Sequence, residues 1–346
     1  MVLLVALSVT LLDACKKSGD DTGSGPVNPG FNPTYIKLQI PTGWPTPSFD
    51  IFATNPLTEE GFQLGRKLFY DGRLSKDGNF PCASCHQQFA AFATYDHDLS
   101  HGFNNSFTTR NAPGTFNLAW MKEMHWDGGI NHIEVQPLAP ITAPNEMAET
   151  IDSVLFKLKK DTTYIRMFKA AFEDGSINSQ HLLKALAQYM GSIISANSKY
   201  DKVQRGEATF TSSELAGYNV FKAKCASCHK EPLFTDNSYR NNGLPINTFF
   251  NDFGRMRITG LRSDSLKFKV PTLRNAALTF PYMHDGRFIT LGQVIEHYRT
   301  SVIPSATLDP LLSGGITMTS VEKSNLILFI STLTDNEMTS NPRFAQ

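Results

Sequence analysis

Residues 82–86 and 225–229 both read Cys-Ala-Ser-Cys-His, and these two copies of one pentapeptide hold four of the chain's five cysteines. The spacing C-x-x-C-H is typical of covalent haem c attachment, in which two thiols bond the porphyrin vinyl groups and the adjacent histidine binds the iron. A thioredoxin-type redox pair or a zinc half-site also uses C-x-x-C, but neither needs that histidine in both copies. The sequence therefore predicts two covalent haem c groups. Their predicted attachment and iron-binding residues are Cys82, Cys85, His86, Cys225, Cys228 and His229.

The composition is that of a soluble globular protein. Hydrophobic residues make up 41% of the 346 residues and charged residues 18%, which is too apolar for a disordered chain and too polar for a multi-span membrane protein. Lys plus Arg number 32 and Asp plus Glu number 32, so no excess positive charge is present to bind nucleic acid. A chain of this length predicts about two domains.

The N-terminal residues 1–15 resemble an export signal. Val2–Leu12 is an apolar run too short to span a bilayer but long enough for a signal-peptide core. The run ends in a segment similar to a bacterial lipoprotein cleavage box, with Cys15 as the lipidated residue; the alternative is an ordinary signal peptide with an incidental cysteine. Residues 16–50, which begin rich in Gly, Ser, Asp and Pro, are predicted to form a flexible tether. Because haem c is attached on the exported side of the membrane, we expect a periplasmic or cell-envelope protein that contacts the membrane only through Cys15.

A helix with glycine and phenylalanine on one face is predicted before each pentapeptide. Gly65–Phe69 and Gly217–Phe221 each place the two residues four positions apart, hence on one side of a helix. Thr58 and Thr211 stand where N-caps are expected, and Thr211 forms a capping-box pattern with Glu214. A Gly-Phe helix beside a haem resembles the N-terminal helix of class I cytochromes c.

The repeat is predicted to continue after the pentapeptides. Arg110-Asn111-Ala112 matches Arg274-Asn275-Ala276, and Trp126-Asp127-Gly128 matches His284-Asp285-Gly286. Because the matches follow the pentapeptides in the same order in both halves, the sequence predicts two related haem domains.

The remaining apolar segments have helical periodicity, and none shows the sustained alternation that a half-buried strand needs. They are Ile151–Leu158, Leu182–Ile194 and Leu326–Leu333, the last preceded by a capping pattern at Thr319. We therefore expect a mainly α fold of two cytochrome c-like haem domains in tandem, behind the signal/lipoprotein segment and the tether. The first haem domain is predicted at residues 51–205 and the second at residues 206–346, whose last helix could pack back on the first domain.

Together these stretches resemble one family over about residues 57–298. They include LGRKLFYDGRLS at 64–75, RNAPGTFN at 110–117, the long segment FKVPTLRNAALTFPYMHDG at 268–286 and LGQVIEHY at 291–298. In order and spacing they resemble the bacterial di-haem cytochrome c peroxidase family, including its MauG-like branch. The resemblance implies an enzyme that reduces hydrogen peroxide to water with electrons from a small redox protein or a quinol.

The resemblance also implies the residues of the peroxide site. Trp126, Gln136 and Glu146 lie ten residues apart, as the corresponding residues do in the family. By that correspondence Glu146 is the acid/base group, Gln136 orients peroxide or water, and Trp126 relays electrons from the second haem to the first. Taken without the family, a tryptophan is more often a core residue and a glutamate a surface charge.

Two departures from the peroxidase branch concern the sixth iron ligands. Phe103 stands where that branch has a histidine that binds the resting first haem, so we expect an open first haem and no ligand role for the nearby His101. Tyr298 stands where that branch has a methionine, as in the MauG-like branch, and is the expected sixth ligand of the second haem. The alternatives to Tyr298 are Met283 and His297.

A calcium ion between the domains is a further implication of the resemblance. Its ligands would be the side chain of Asn111 and the backbone carbonyls of Thr279 and Pro281. Gly129 stands where the family usually has arginine, so one charged contact near the first haem is expected to be absent. The resemblance is also compatible with a homodimer.

Two other functions compete with peroxide reduction. One is that of a MauG-like oxidase, which modifies residues of a protein partner by long-range electron transfer and which Phe103 and Tyr298 favour. The other is that of a non-catalytic electron-carrier cytochrome. Glu146 and Gln136 argue against a carrier, since a carrier has no use for an acid beside an open iron site.

Overall fold

The computed structural model describes residue 28, residues 30–47 and residues 50–346 of the chain. The predicted signal at 1–15, with its Cys15, and the tether up to residue 27 lie outside the described residues. The described part is mainly helical, as expected, and no helix in it combines the length and apolarity needed to cross a bilayer.

The helices vary widely in length, and the strands form one short antiparallel pair in which Tyr239 faces Lys269. The helices are α1 (Glu59–Phe69), α2 (Cys82–Cys85), α3 (Leu138–Thr142), α4 (Ile151–Lys159), α5 (Thr162–Ala171), α6 (Ser179–Gly191), α7 (Lys199–Gln204), α8 (Ser212–Lys224), α9 (Met256–Thr259), α10 (Leu291–Thr300), α11 (Ser320–Ser331) and α12 (Asn336–Ser340). The strands are β1 (Tyr239–Arg240) and β2 (Phe268–Lys269).

Each half of the chain contains the same helix crossing. The glycine-phenylalanine helices are confirmed as α1 and α8, which begin at the predicted caps Thr58 and Thr211. A Cβ atom on Gly65 would lie 1.9 Å from a backbone oxygen of α6, and one on Gly217 would lie 2.0 Å from a backbone oxygen of α11. Glycine is therefore what lets α1 reach α6 and α8 reach α11.

Aromatic rings pack at both crossings in the same way. Phe69 lies 5.1 Å from Tyr189, and Phe221 lies 5.1 Å from Phe329, measured between ring centroids. The two buried clusters that form around these pairs are separate, and each is built mainly from one half of the chain. The structure thus contains the internal repeat that the sequence predicted.

The register predicted for the later part of the repeat is wrong in one place. Asn275 corresponds to Asn117 and not to Asn111. Asn117 and Asn275 both have a positive φ. The Asn117 amide donates to the Ile193 carbonyl just after α6, and the Asn275 amide donates to the Leu333 carbonyl just after α11. In the same register Pro113 corresponds to Pro271, each lying against the histidine of its pentapeptide. The shared letters Arg-Asn-Ala misled the comparison, although asparagine, which tolerates a left-handed backbone, stands at both equivalent positions.

The predicted apolar helices are confirmed with one change of boundary. Residues 151–158 form most of α4, and α11 begins at Thr319 with its capping box. However, α6 ends at Gly191, so Ile193 and Ile194 lie beyond it. The carbonyl of Ile193 instead accepts a hydrogen bond from the backbone of Asn117, which holds this segment extended.

The tether predicted at residues 16–50 extends too far along the chain. The backbone amide of Thr34 donates to the Glu60 carboxylate at 2.8 Å, and the Ile36 amide donates to the Leu57 carbonyl at 3.0 Å. Trp44 packs edge-on against Trp120 with 4.9 Å between ring centroids. Residues 34–47 are therefore part of the folded body, because they carry apolar side chains that the first core buries.

The C-terminal residues pack on the first half of the chain. Met338 and Phe344 belong to the first buried cluster, and the hydroxyls of Tyr70 and Tyr189 both donate to the Phe344 carbonyl, at 2.8 and 2.7 Å. This contact closes the first core with residues from the far end of the chain. The predicted limits of the two haem domains remain predictions.

Candidate haem sites and the region between them

The first pentapeptide presents its histidine in the form that iron binding requires. Cys82–Cys85 is one helical turn, and the His86 Nδ1 atom donates to the Phe92 carbonyl at 2.8 Å, with the Thr115 hydroxyl at 3.1 Å. Donation from Nδ1 fixes the tautomer and leaves Nε2 as the metal-binding atom. Burial lowers the pKa of His86, which favours the neutral imidazole that binds metals.

The second pentapeptide repeats this arrangement. The His229 Nδ1 atom lies 3.2 Å from the Phe234 carbonyl and 3.1 Å from the Pro271 carbonyl, so its Nε2 atom is the one available to iron. Burial raises the pKa of Cys82 to about 12 and that of Cys225 to about 12. A thioredoxin-type pair needs a lowered thiol pKa, so these thiols fit haem attachment better. The four pentapeptide cysteines are not paired in disulfides, and the residues present fit two haem c groups.

The predicted acid/base group is a carboxyl without a partner beside the first pentapeptide. Burial alone raises the pKa of Glu146, and the charge of Glu146 in turn contributes to the raised pKa of Cys85. Gln136 and Glu146 stand at the two ends of α3. The Gln136 amide oxygen is buried, and no donor among the residues described here makes a hydrogen bond of normal geometry to it, although His125 lies beside Gln136. A buried acceptor of this kind calls for an O–H or N–H donor from a bound molecule.

The segment that replaces the expected histidine ligand lies directly against Glu146. The backbone amide of Phe103 donates to the Glu146 carbonyl at 2.7 Å. A Cβ atom on Gly102 would lie 2.2 Å from the Asn145 carbonyl, so glycine permits this close approach. The His101 side chain is exposed, with its ring 4.6 Å from that of Phe107. The structure thus gives His101 a surface setting.

Trp126 lies between the two halves and is held by both. Its indole nitrogen donates to the Asn111 carbonyl at 2.9 Å, and the amide of Asn111 donates to the His284 carbonyl at 2.8 Å. The Trp126 carbonyl accepts a bond of 2.7 Å from the amide of Lys269 in β2. Asn111 of the first half therefore orients the indole ring, and Lys269 of the second half holds the Trp126 backbone.

Two arginines from other segments bind the residues just before Gly129, the position at which the family usually has arginine. Arg255 donates to the carbonyls of Asp127 and Gly128, at 2.9 and 3.3 Å. Arg110 binds the Asp127 carboxylate at 2.6 Å and the Asp252 carboxylate through two hydrogen bonds of 2.6 and 2.8 Å. Sequence reasoning missed Arg255 because its segment carries no motif.

Tyr298 faces the second pentapeptide. Burial raises the pKa of Tyr298, and its hydroxyl lies near enough to Cys225 and Cys228 to interact with them. The competing ligand His297 is otherwise engaged, because its Nε2 atom donates to the Asn242 carbonyl at 3.0 Å. Of these two neighbours, Tyr298 is therefore the better placed to bind the iron of the second haem.

The structure brings the predicted calcium loops together without defining an ion site. Asn111 is bonded to His284, and the ring of Tyr95 lies 5.1 Å from that of Phe280, next to Pro281. No cluster of three or more His, Cys, Asp or Glu side chains suited to a metal occurs within the described residues. A calcium ion here would depend on neutral oxygens such as the Asn111 side chain and backbone carbonyls, as predicted.

Comparison with known proteins gives consistent relatives. Residues 59–209 match the family described as di-haem cytochrome c peroxidase. Methylamine utilization protein MauG of Methylophilus methylotrophus is 32% identical over 308 residues, covering 87% of this chain and 89% of that protein. Cytochrome c551 peroxidase of Nitrosomonas europaea is 35% identical over 260 residues, covering 71% of this chain and 75% of that protein.

A solved structure agrees with this result. A MauG-like protein associated with microbial copper homeostasis has a TM-score of 0.82 and 32% identity, covering 90% of this chain and 99% of that chain. Peroxidases and MauG proteins both occur among the relatives, so the reaction has to be argued from the site.

Proposed function

The chain belongs to the di-haem cytochrome c peroxidase family, an enzymatic family with two c-type haems, and we propose that it reduces hydrogen peroxide to water. The electrons would come from a small redox protein or a quinol. The observation that carries this proposal is the partly buried Glu146 carboxyl near the first pentapeptide, whose pKa is raised by burial with no counter-charge to offset it. Such a carboxyl costs stability, and a raised pKa is typical of a functional acid/base group.

Haem held by Cys82, Cys85 and His86 would supply the iron at which the O–O bond is cleaved. Each turnover consumes one peroxide, two electrons and two protons, and yields two water molecules. Glu146 takes a proton from one peroxide oxygen and delivers it to the other, which becomes the leaving water. The Gln136 amide oxygen accepts a hydrogen bond from peroxide and so orients it for this transfer.

A haem held by Cys225, Cys228 and His229 would supply the entry point for the two electrons, and Trp126 would relay them toward the site of the first haem. Support comes from the position of Trp126, which is bonded to Asn111 on one side and to Lys269 on the other. An indole held rigidly between the halves keeps a constant orientation toward both haem sites, which efficient relay requires.

A MauG-like oxidation of a protein partner is the second candidate, favoured by the tyrosine at position 298. An oxygen ligand stabilises ferric iron, whereas a thioether stabilises ferrous iron, so a tyrosine-bound second haem would be a poorer electron acceptor. The same oxygen ligand also favours oxidation states above ferric, which a MauG-like oxidation of a partner would use. A plain electron carrier is the third candidate, and the buried Glu146 does not favour it.

One experiment separates the three candidates. The oxidised and the reduced protein are each mixed with stoichiometric hydrogen peroxide while the haem spectrum is followed. Turnover coupled to oxidation of a small cytochrome or a quinol analogue supports the peroxidase. A long-lived high-valent spectrum without donor oxidation would overturn that proposal in favour of the MauG-like oxidase, and the absence of any reaction would favour the carrier.

We also propose that the protein is exported to the periplasm or cell envelope and anchored by a lipid on Cys15. Support comes from haem c attachment, which takes place on the exported side, and from the lipoprotein-like box. If the proposal is right, Cys15→Ser releases the protein from the membrane fraction without loss of haem. We further propose that the protein binds a calcium ion between its halves and forms a homodimer.

A further inference from the structure

We propose that Asn242 selects the sixth ligand of the second haem by engaging the Met283 thioether, so that Tyr298 and not Met283 binds the iron. Asn242 is a positioning residue in this proposal. The inference rests on the family's second haem and on the Tyr298 assignment, but not on activity toward peroxide.

The repeat places Met283 on the ligand side of the second haem. Met283 occupies the position of His125 in the first half: both have a positive φ, and both lie in a turn closed by an equivalent backbone bridge. His125 lies beside Gln136, the predicted peroxide-orienting residue. By the same register, Met283 lies on the side of the second haem from which a sixth ligand would reach the iron. A thioether is a common haem ligand. Some feature of the chain must therefore keep Met283 from binding.

Asn242 is that feature, because its side chain lies near both candidate ligands. The Nδ2 atom is 3.5 Å from the Met283 sulfur, and, against the larger effect of burial, the Asn242 side chain lowers the pKa of the Tyr298 hydroxyl. An amide nitrogen carries two N–H donors, enough for both contacts. Donation to the thioether engages a weak acceptor, while donation to a phenolate oxygen stabilises the negative charge that makes it a ligand. Both contacts favour the tyrosine oxygen.

The orientation of the amide is fixed by its own loop. The Leu244 backbone amide donates to the Asn242 side-chain oxygen at 3.4 Å, which turns the nitrogen toward Met283 and Tyr298. On either side, the Asn241 carbonyl accepts from Asp309 at 3.0 Å and the Gly243 carbonyl accepts from Ile303 at 2.9 Å. The loop is thus anchored before and after Asn242.

The third candidate ligand is removed by the same residue. The backbone carbonyl of Asn242 accepts the Nε2 hydrogen of His297 at 3.0 Å. Because this bond is made by the main chain, it persists when the Asn242 side chain is replaced. A side-chain substitution therefore releases Met283 and leaves His297 engaged.

The test is the near-infrared and EPR spectrum of the ferric holoprotein in Asn242→Leu and in Asn242→Asp. Leucine removes both N–H donors. Aspartate keeps the shape of asparagine but cannot donate when it is ionised. The aspartate variant therefore provides the measurement if the leucine variant fails to fold. We expect the charge-transfer band of methionine-ligated ferric haem to appear in both variants and the reduction potential of the second haem to rise. The wild-type protein should lack that band.

Met283→Leu provides the matched control. Alone it should leave the wild-type spectrum unchanged, and combined with Asn242→Leu it should abolish the new band. The proposal is overturned if both Asn242 variants keep the wild-type spectrum, if the new band survives in the double variant, or if Met283→Leu alone alters the ferric spectrum. Peroxide turnover is not read in this test, so a protein inactive toward peroxide can still support or overturn it.

Discussion

The indole nitrogen of Trp126 and the backbone carbonyl of Asn111 are joined by a hydrogen bond of 2.9 Å. Asn111 is in turn bonded through its amide to the His284 carbonyl of the second half. The residue predicted to relay electrons is therefore oriented by a residue predicted to bind calcium, and both depend on the contact between the halves. Changes at this contact should affect electron transfer more than haem content.

Trp126→Phe should slow electron delivery from the second haem to the first while both haems remain attached. The phenylalanine ring fills part of the space of the indole, but it cannot donate the hydrogen bond to Asn111 and it lacks the indole π-system that would relay the electron. The measurement is the rate at which the pre-reduced second haem is oxidised after one equivalent of peroxide is added.

Trp120→Phe is the control for this change. The Trp120 indole makes a hydrogen bond of the same kind, 2.7 Å to the Pro45 carbonyl, and it is also buried. Both variants should lose about 1 kcal/mol of stability, but only Trp126→Phe should slow the transfer. Equal slowing by both would argue that the rate reflects packing and not the relay.

Glu146→Gln should lower the rate of peroxide reduction by roughly 10²–10⁴-fold, the usual worth of a general acid/base group. Burial raises the pKa of Glu146 above its usual 4.5. The ionised Glu146 carboxylate accepts the first proton from peroxide, and it becomes protonated as the pH falls through its raised pKa. The acid limb of the pH–rate profile should therefore have its midpoint above 4.5. The glutamine variant should lack that limb.

The same substitution should not destabilise the protein. A carboxyl whose folded pKa is raised opposes folding once the pH exceeds its unfolded pKa, so removing its charge at neutral pH should keep or raise the Tm. Glu149→Gln is the matched control, because burial of Glu149 is outweighed by its ion pair with Lys157, and its pKa is lowered. That variant should lose about 1–3 kcal/mol without a change in peroxide rate. A drop in rate from Glu149→Gln alone would refute the assignment.

Gly65→Ala and Gly217→Ala should each destabilise the chain by about 1–3 kcal/mol or more. In both cases the new Cβ atom would meet a backbone oxygen of the crossing helix at 2.0 Å or less. Gly292→Ala in α10 is the control, since its Cβ would find no atom closer than 3.7 Å, and alanine favours helix by about 1 kcal/mol. Denaturant unfolding gives all three values.

Arg110→Met should destabilise the contact between the halves by about 3–5 kcal/mol, since it removes the ion pair of Asp127 and leaves Asp252 only the more distant Arg257, at 3.9 Å. Burial would raise the pKa of Asp252, but its hydrogen bonds and charge contact with Arg110 outweigh burial and lower it. The stability contributed by Asp252 is therefore present above its ordinary pKa of 3.8 and is lost as the pH falls through the lowered value. In Arg110→Met this loss on acidification should shrink; an unchanged pH dependence of unfolding would contradict the assignment.

Tyr298→Phe should change the spectrum of the second haem and leave that of the first unaltered. Tyr282→Phe is the control, because it also removes a phenol hydroxyl, one that donates to the Ala276 carbonyl at 2.8 Å. If Tyr298→Phe leaves the spectrum as it is, Tyr298 is not the ligand.

The sequence predicted the features that are local along the chain. The capped helices α1, α8 and α11 follow from short patterns at Thr58, Thr211 and Thr319, and the pentapeptides define the haem sites by their own spacing. Those patterns reflect backbone hydrogen bonds within a few residues of each other, so they can be read without a fold.

The features that sequence reasoning missed depend on contacts between distant segments. Arg255 and Asn242 come from the long stretch between β1 and β2, which has no periodic pattern, and their partners lie in other parts of the chain. The repeat was misaligned at Asn275 because similar letters recur at positions that the backbone does not make equivalent. Only the folded chain brings these groups together.

The most direct test of two haems with unequal sixth positions is the low-temperature EPR spectrum of the fully oxidised protein. A first haem without a histidine ligand at position 103 and a second haem bound by Tyr298 should give one high-spin and one low-spin ferric signal, each integrating to one spin per chain. Two low-spin ferric signals with no high-spin component would contradict the open first site on which the proposed peroxide reaction depends.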